Sequence, residues 1–186
     1  MSAGVRTTLI NEATSLVRTR GYVAFSYADL SEVVGIRKAS IHHYFPGKED
    51  LGVAIVAAYR DRISSELADI LSRHRQRLKR VEAYIQLYRD ALEAGLGCLC
   101  GILASEMAIL PPSIAKAVEA FFRENLVWLE GVLAEGAVRS GFRPERQAQM
   151  VLATLQGALV AGRALKDHGS FESAVTGLLE NLRVWS

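Results

Sequence analysis

The stretch SYADLSEVVGIRKASIHHYFPGK, residues 26–48, predicts two short helices joined by a tight turn. Ser26 is a favoured N-cap, and Asp29 three residues later can complete a capping box. Gly35 has the conformational freedom that a turn needs, and Pro46-Gly47 predicts the end of the second helix. Two helices joined in this way are typical of a helix-turn-helix, whose second helix enters the major groove of DNA.

The second helix has two different faces. Ile41 and Phe45 are four residues apart and are predicted to face the core. Lys38, His42 and His43 fall on the other face and are predicted to be exposed. A polar and basic outer face is what contact with DNA requires, so this helix is predicted to read base pairs.

Residues 5–52 resemble the N-terminal domain of the TetR family of transcriptional repressors. The resemblance rests on a first helix that ends at Arg20-Gly21-Tyr22, on the Ser26-to-Gly35 helix, and on Ile41-His42-His43-Tyr44-Phe45 followed by Lys48. Residues 98–110, CLCGILASEMAIL, before Pro111-Pro112 also resemble the start of the ligand domain in one branch of this family.

Two positions depart from the usual residues of the family. Arg37 stands where Ser or Thr commonly starts the recognition helix, and the loss of such a cap costs about 1 kcal/mol. Its guanidinium can instead meet a phosphate. His42 stands where the family usually has Tyr, so this position keeps a flat polar ring but lacks the phenol hydroxyl.

Composition limits the class of protein. Half of the 186 residues are apolar, no run of about 18 apolar residues is long enough to span a membrane, and the N-terminus lacks an apolar signal core. Two cysteines form no disulfide framework, which is typical of a reducing compartment. We therefore expect a soluble, cytoplasmic protein that does not bind a membrane.

No pattern indicates an enzyme, a metal site or a cofactor. The four histidines are not arranged as a convergent metal site, and the chain lacks nucleophile-elbow, P-loop and dinucleotide motifs. Residues 1–48 contain six basic and three acidic residues, a net charge of +3 within a chain of net charge +2. This excess favours attraction to phosphates.

Helical periodicity continues along the whole chain, which predicts an all-α fold of about nine helices. We expect a three-helix DNA-binding domain at residues 1–48, joined without a flexible linker to a helical ligand-binding and dimerisation domain at residues 49–186. After the first three helices, the predicted helices span residues 48–72, 79–95, 98–110, 112–140, 143–165 and 170–185.

The sequence predicts three groups of site residues. The candidate contacts to DNA are Ser26, Tyr27, Arg37, Lys38, Ala39, Ser40, His42, His43, Tyr44 and Lys48. The ligand-binding candidates are Tyr84, Tyr88, Cys98, Cys100, Met107, Phe121, Phe122 and Trp128, with Glu106 or Arg123 as a polar group. By resemblance, the last two helices pair with their copies in a homodimer through Leu152, Leu155, Leu159, Gly162, Phe171, Val175, Leu178, Leu182 and Trp185. Within the same surface, Ala153, Gly157 and Ala161 would allow close helix approach.

The resemblance implies a repressor that binds a palindromic DNA operator as a dimer and is released by a small-molecule inducer. One alternative is a regulator that senses oxidants or electrophiles through Cys98 and Cys100. An alternative of another class is a helical protein-interaction module that does not bind DNA. A steep dependence of nucleic-acid binding on salt would separate a DNA-binding regulator from the interaction module.

Overall fold

The computed structural model of the protein describes residues 2–135 and 141–184, and all secondary structure in these ranges is helical. The described helices are α1 (Ser2–Arg20), α2 (Tyr27–Val34), α3 (Lys38–Tyr44), α4 (Lys48–Arg73), α5 (Arg77–Glu93), α6 (Leu99–Ser105), α7 (Pro112–Ala134), α8 (Pro144–Leu165) and α9 (His168–Val184). The predicted all-α fold with about nine helices is therefore confirmed.

The chain forms two compact units. Unit 1 comprises Met1–Ile63 and Leu99–Phe121, and unit 2 comprises Ser64–Cys98 and Phe122–Ser186. Helices α4 and α7 each contribute their first part to unit 1 and their second part to unit 2. A compact unit need not coincide with a functional domain, so the division into residues 1–48 and 49–186 stays a prediction.

Unit 1 is built around the first three helices. Leu9, Ala13 and Val17 form a fully buried stripe along α1, in agreement with their helical spacing. Helix α1 ends where Gly21 adopts φ +91°, a left-handed conformation that glycine takes without strain, and the Gly21 amide donates to the Val17 carbonyl at 2.9 Å. Helix α1 packs on α2 and on α6, and α2 packs on α3.

The α6–α7 segment of unit 1 is tied to α4. The Ser113 hydroxyl donates to Glu49 Oε1 at 2.5 Å. A side chain at Gly52 would overlap with Ile114, so this glycine permits a close approach of α7 to α4. These contacts fix the first turns of both helices.

Unit 2 is held together mainly by α5, α8 and α9, which pack on one another. The Arg89 guanidinium on α5 makes a two-pronged ion pair with Glu172 on α9, with Nε–Oε1 and Nη2–Oε2 distances of 2.5 and 2.8 Å. Such a paired geometry fixes both side chains more strictly than a single contact does.

Some predicted helix boundaries differ from the observed ones. The helix predicted at residues 98–110 ends at Ser105, and the chain then turns before Pro112. The predicted ends at residues 140 and 185, and Trp185 itself, lie outside the described residues. Within those residues no helix is both long and apolar enough to cross a membrane.

Candidate nucleic-acid interface and ligand site

The start of α2 is fixed by the capping box that the sequence predicts. Ser26 Oγ accepts hydrogen bonds from the amides of Ala28 and Asp29, and Asp29 Oδ2 accepts one from the Ser26 amide at 2.8 Å. Hydrogen bonds from Ser26 are the main reason why the pKa of the Asp29 carboxyl is lowered. The Ser26 amide is therefore engaged within the protein, and the contact of Ser26 with DNA stays a prediction.

The turn and α3 are positioned by buried contacts. Gly35 adopts φ +72° at the end of α2, and the Ser31 hydroxyl donates to the Ile36 carbonyl at 2.6 Å. Ile41 is completely buried, as predicted. These contacts hold α3 against α2, so that its outer face has a defined orientation.

Tyr27 lies in the interior. Its hydroxyl donates to the carbonyls of Phe45 and Gly47 at 3.0 and 2.7 Å, which ties the start of α2 to the end of α3. Burial is the main cause that raises the pKa of Tyr27 to about 12. Its side chain therefore has a structural role, and only its backbone amide remains a candidate for contact with a phosphate.

The outer face of α3 is exposed. Arg37 is the N-cap and makes no side-chain capping bond, as expected for an arginine. His42 is oriented by a 3.0 Å contact between Nδ1 and the Pro46 carbonyl and by edge packing on Tyr27. Tyr44 is half-buried and packs edge-on against His43. The exposed candidates on this face are Arg37, Lys38, Ala39, Ser40, His42 and His43, and Ser26 at the start of α2 is exposed as well.

Lys48 has partners inside the protein. Its ammonium group lies 4.6 Å from the ring centres of both Tyr22 and Phe25, and it donates to the Val23 carbonyl at 3.4 Å. Burial lowers the pKa of Lys48. A phosphate contact by Lys48 would therefore have to compete with these cation–π contacts.

The ligand candidates fall into two groups. Tyr84, Tyr88, Cys98 and Trp128 lie together in unit 2, in a set of contacts that also contains Asn125 and Gln156. We call these six residues the polar cluster. In this cluster the Tyr84 hydroxyl donates to Asn125 Oδ1 at 3.0 Å and lies 3.3 Å from the Tyr88 hydroxyl. Gln156 Nε2 donates to the Tyr88 hydroxyl at 3.2 Å and to Cys98 Sγ at 3.4 Å.

The remaining ligand candidates are not part of the polar cluster. Cys100, Met107 and Phe121 belong to unit 1, where Cys100 is fully buried, Met107 is exposed and Phe121 packs on Tyr59. Phe122 is half-buried and Arg123 is exposed.

Glu106 contacts unit 1 backbone rather than the polar cluster. Its Oε2 accepts a hydrogen bond from the Tyr22 amide at 3.0 Å, and Tyr22 follows the end of α1. Glu106 therefore has a backbone contact in unit 1, and its role as the polar group of a ligand site stays a prediction.

The dimerisation candidates also need a correction. The eight described members are buried within the chain itself, and Leu155 and Phe171 have no exposed surface. Their side chains therefore pack inside the subunit and add little area to an interface. On the same helix, Ala153, Gly157 and Ala161 are exposed, next to Val160 with 65% of its surface accessible.

Sequence reasoning missed Asn125 and Gln156. Asn125 lies four residues after Phe121 and four before Leu129, at an apolar position of α7, and Gln156 interrupts the apolar run of α8. A polar amide at a core position is the signal that identifies both. In the described ranges, no group of three or more His, Cys, Asp or Glu residues is placed to hold a metal ion.

Comparison with known proteins places this geometry in a family. The sequence model described as bacterial regulatory proteins, tetR family, matches residues 9–55. A TetR-family regulator of known structure from Agrobacterium tumefaciens is 34% identical, with a TM-score of 0.90, and the match covers 95% of this chain and 96% of that one. A TetR regulator from Legionella pneumophila is 28% identical, with a TM-score of 0.85 and coverages of 95% and 94%. The HTH-type transcriptional repressor NemR of Escherichia coli (strain K12) is 26% identical, over 90% of this chain and 88% of NemR.

The helical fold and the exposed second helix of the motif define a helix-turn-helix DNA-binding protein. More specifically, the chain belongs to the TetR family of bacterial transcriptional regulators. This is a family of regulators rather than of enzymes, and its repressors bind DNA as dimers.

Proposed function

We propose that the protein is a repressor that binds a palindromic operator as a homodimer and leaves it when a small-molecule inducer binds. The exposed outer face of α3, held by the buried Ile41 and by the Tyr27 hydroxyl bonds, is the observation that carries this proposal. Such a face allows side chains to reach base edges while the helix itself stays rigid.

Individual residues receive different roles. Lys38 is proposed to contact guanine O6 and N7, and Ala39 to touch a thymine methyl group. Arg37, Ser40, Tyr44 and the backbone amide of Tyr27 are proposed phosphate contacts. His42, His43 and Lys48 complete the surface, and residues 1–48 are the proposed DNA-binding domain. An operator on genomic DNA places the protein in the cytoplasm.

A second copy of the chain is needed because one recognition helix contacts too few base pairs to recognise an operator specifically. Dimers of this class place two recognition helices on half-sites about 34–36 Å apart, or a multiple of that distance. The exposed small residues Ala153, Gly157 and Ala161 support a dimer surface on α8, because small side chains allow two helices to approach closely. Sedimentation equilibrium at micromolar protein tests this part, and a monomer would contradict it.

Release by an inducer requires that the inducer binds one conformation better than another. Two features support such a coupling. The polar cluster offers hydrogen-bonding groups in the interior of unit 2. Helices α4 and α7 each have their first part in unit 1 and their second part in unit 2, so both helices belong to both units.

The decisive experiment is an anisotropy titration of the full-length protein on DNA that flanks its own gene, repeated over a series of salt concentrations. We expect competitor-resistant binding with Kd on the order of 10⁻⁸ M or tighter at physiological salt. We also expect a linear fall of log K with log salt, because each phosphate contact releases counterions. Absence of binding to any genomic fragment in a pull-down would favour the protein-interaction module.

A second candidate function is thiol-based sensing at Cys98 and Cys100. The 3.4 Å contact between Gln156 Nε2 and Cys98 Sγ favours it, because it places a hydrogen-bond donor on the sulfur. Both thiols are buried, with 6% of Cys98 and none of Cys100 exposed, so Cys98 is the proposed reactive thiol. Alkylation of both thiols without a change in operator affinity would eliminate this candidate.

A further inference from the structure

The polar cluster is unusual in its position. Asn125 has 2% of its surface exposed and is the only fully buried amide or charged side chain among residues 2–135 and 141–184. It meets the hydroxyl of Tyr84, which is itself completely buried. Burial removes the hydration of polar groups, and apolar side chains at these positions would avoid that free-energy cost.

One polar atom of the polar cluster lacks a partner. The indole nitrogen of Trp128 is buried and has no hydrogen-bond acceptor among the described residues. The Trp128 residue as a whole is only half-buried. Buried donors without a partner are rare in folded proteins, and each is a candidate to bind an external acceptor.

The rings beside this donor supply flat surfaces. Trp128 stacks on Tyr84, with ring centres 5.4 Å apart and an angle of 29° between the planes. Tyr84 also packs on Tyr88, at 5.6 Å and 59°. Aromatic pairs of this kind extend readily to a further ring, because stacked and edge-on arrangements of rings are both favourable.

The polar cluster contains no formal charge. Its polar groups are two phenols, two amides, one indole and one thiol, and burial raises the pKa of Tyr84, which keeps that phenol neutral. A charged ligand would lose its hydration here and gain no counter-ion from these six side chains. The polar cluster is therefore suited to an uncharged ligand.

We propose that the polar cluster binds a neutral, planar aromatic compound whose carbonyl oxygen accepts a hydrogen bond from Trp128 Nε1. This assignment specifies the chemical class of the inducer and rests on the proposed function as a ligand-responsive repressor. The phenols of Tyr84 and Tyr88 and the amide of Gln156 can rearrange to hydrogen-bond the remaining polar atoms of the ligand.

The test is calorimetric titration of the full-length protein with three probes of similar shape: naphthamide, naphthoate and naphthylmethylammonium. We expect naphthamide to bind at least about tenfold more tightly than either charged probe, because only the charged probes lose ionic hydration. Trp128→Phe keeps a ring and removes the N–H donor, and it should weaken naphthamide binding roughly 3- to 10-fold. The control Val127→Ala changes the exposed neighbour on α7 and should leave the affinity unchanged.

Each other outcome overturns a stated part of the assignment. Equal binding of a charged probe overturns the neutral class, and unchanged affinity in Trp128→Phe overturns the role of the indole N–H. No binding of naphthamide at about 1 mM overturns the site as a whole. Operator release is measured separately: naphthamide that binds as expected while the DNA complex persists leaves the site intact and contradicts the proposed induction.

Discussion

The helix-turn-helix and the polar cluster use polar side chains in opposite ways. Around α2 and α3 the interior is apolar, except for a Tyr27 hydroxyl that is satisfied by two backbone carbonyls, and the polar and basic residues point outward. In unit 2 the side chains of the polar cluster contact one another in the interior, and none of these six residues is charged. A charged polymer such as DNA is met by exposed cations, whereas a buried site without ions fits a neutral molecule.

The largest effect is expected at the buried side of α3. Ile41→Ala should lower the free energy of unfolding by about 2–5 kcal/mol, because it leaves a cavity beneath the recognition helix. Urea unfolding followed by circular dichroism measures the change. Val33→Ala on α2 is the control, since Val33 is 52% exposed and its truncation should cost less than about 0.5 kcal/mol. Equal losses in both variants would show that Ile41 is not a packing residue.

The polar cluster gives the corresponding test inside unit 2. Asn125→Ala should cost about 1–3 kcal/mol in unfolding free energy, because the buried Tyr84 hydroxyl loses its acceptor. The same substitution in a Tyr84→Phe background should cost clearly less, since no phenol is left unsatisfied. Chemical unfolding of the four proteins forms a double-mutant cycle. Identical costs in the two backgrounds would mean that the hydrogen bond contributes nothing.

A substitution on the exposed side of α3 should change the DNA sequence specificity and leave the folding stability unchanged. Lys38→Ala should cost about 1–3 kcal/mol of binding free energy at one operator position and leave stability unchanged. Anisotropy with a set of single-base operator variants measures it. Lys116→Ala removes the same charge from an exposed site on α7 and serves as the control. A uniform loss of affinity for all sequences would make Lys38 a phosphate contact.

The smallest effect is expected at the Arg89–Glu172 pair. The hydrogen bonds from Arg89 hold the pKa of Glu172 below its ordinary value of 4.5, so the pair stabilises the ionised form. Its contribution is complete above pH 4.5 and disappears as pH falls through the lowered pKa of the folded state. Because Glu172 is 46% exposed, we expect only about 0.5–1 kcal/mol.

The measurement for this pair is the difference in unfolding free energy between the wild type and Glu172→Gln over a pH series. That difference should shrink as the solution becomes acidic. Glu180→Gln, an exposed position on the same helix, is the control. A difference that stays constant with pH would show that the ionised pair does not contribute to stability.

Local signals were sufficient for the helix-turn-helix. Ser26 with Asp29 predicted the capping box, and Gly35 predicted the left-handed turn. These features depend on residues no more than a few positions apart, so they can be read directly from the chain. The sequence was less informative for Tyr27, whose hydroxyl bonds to residues 18 and 20 positions away.

Long-range partners explain the remaining differences. The apolar stripe of α8 was recognised correctly, but residues such as Leu155 are covered by the chain's own helices instead of being left for a second copy. The contact of the Glu106 carboxylate with the Tyr22 amide, 84 positions earlier in the sequence, was not predicted. Periodicity shows that a face is buried or polar, but it does not show what lies against it.

By itself, the sequence determined the all-α class, the helix-turn-helix and the outward direction of Lys38 and His43, because helical spacing and caps act over one or two turns. Only the tertiary structure decided that Asn125 and Gln156 join Tyr84, Tyr88, Cys98 and Trp128 in one polar cluster. These residues come from segments far apart in the chain. Their meeting depends on how α5, α7 and α8 pack, since hydrogen bonds between side chains form only where packing brings donor and acceptor within about 3 Å.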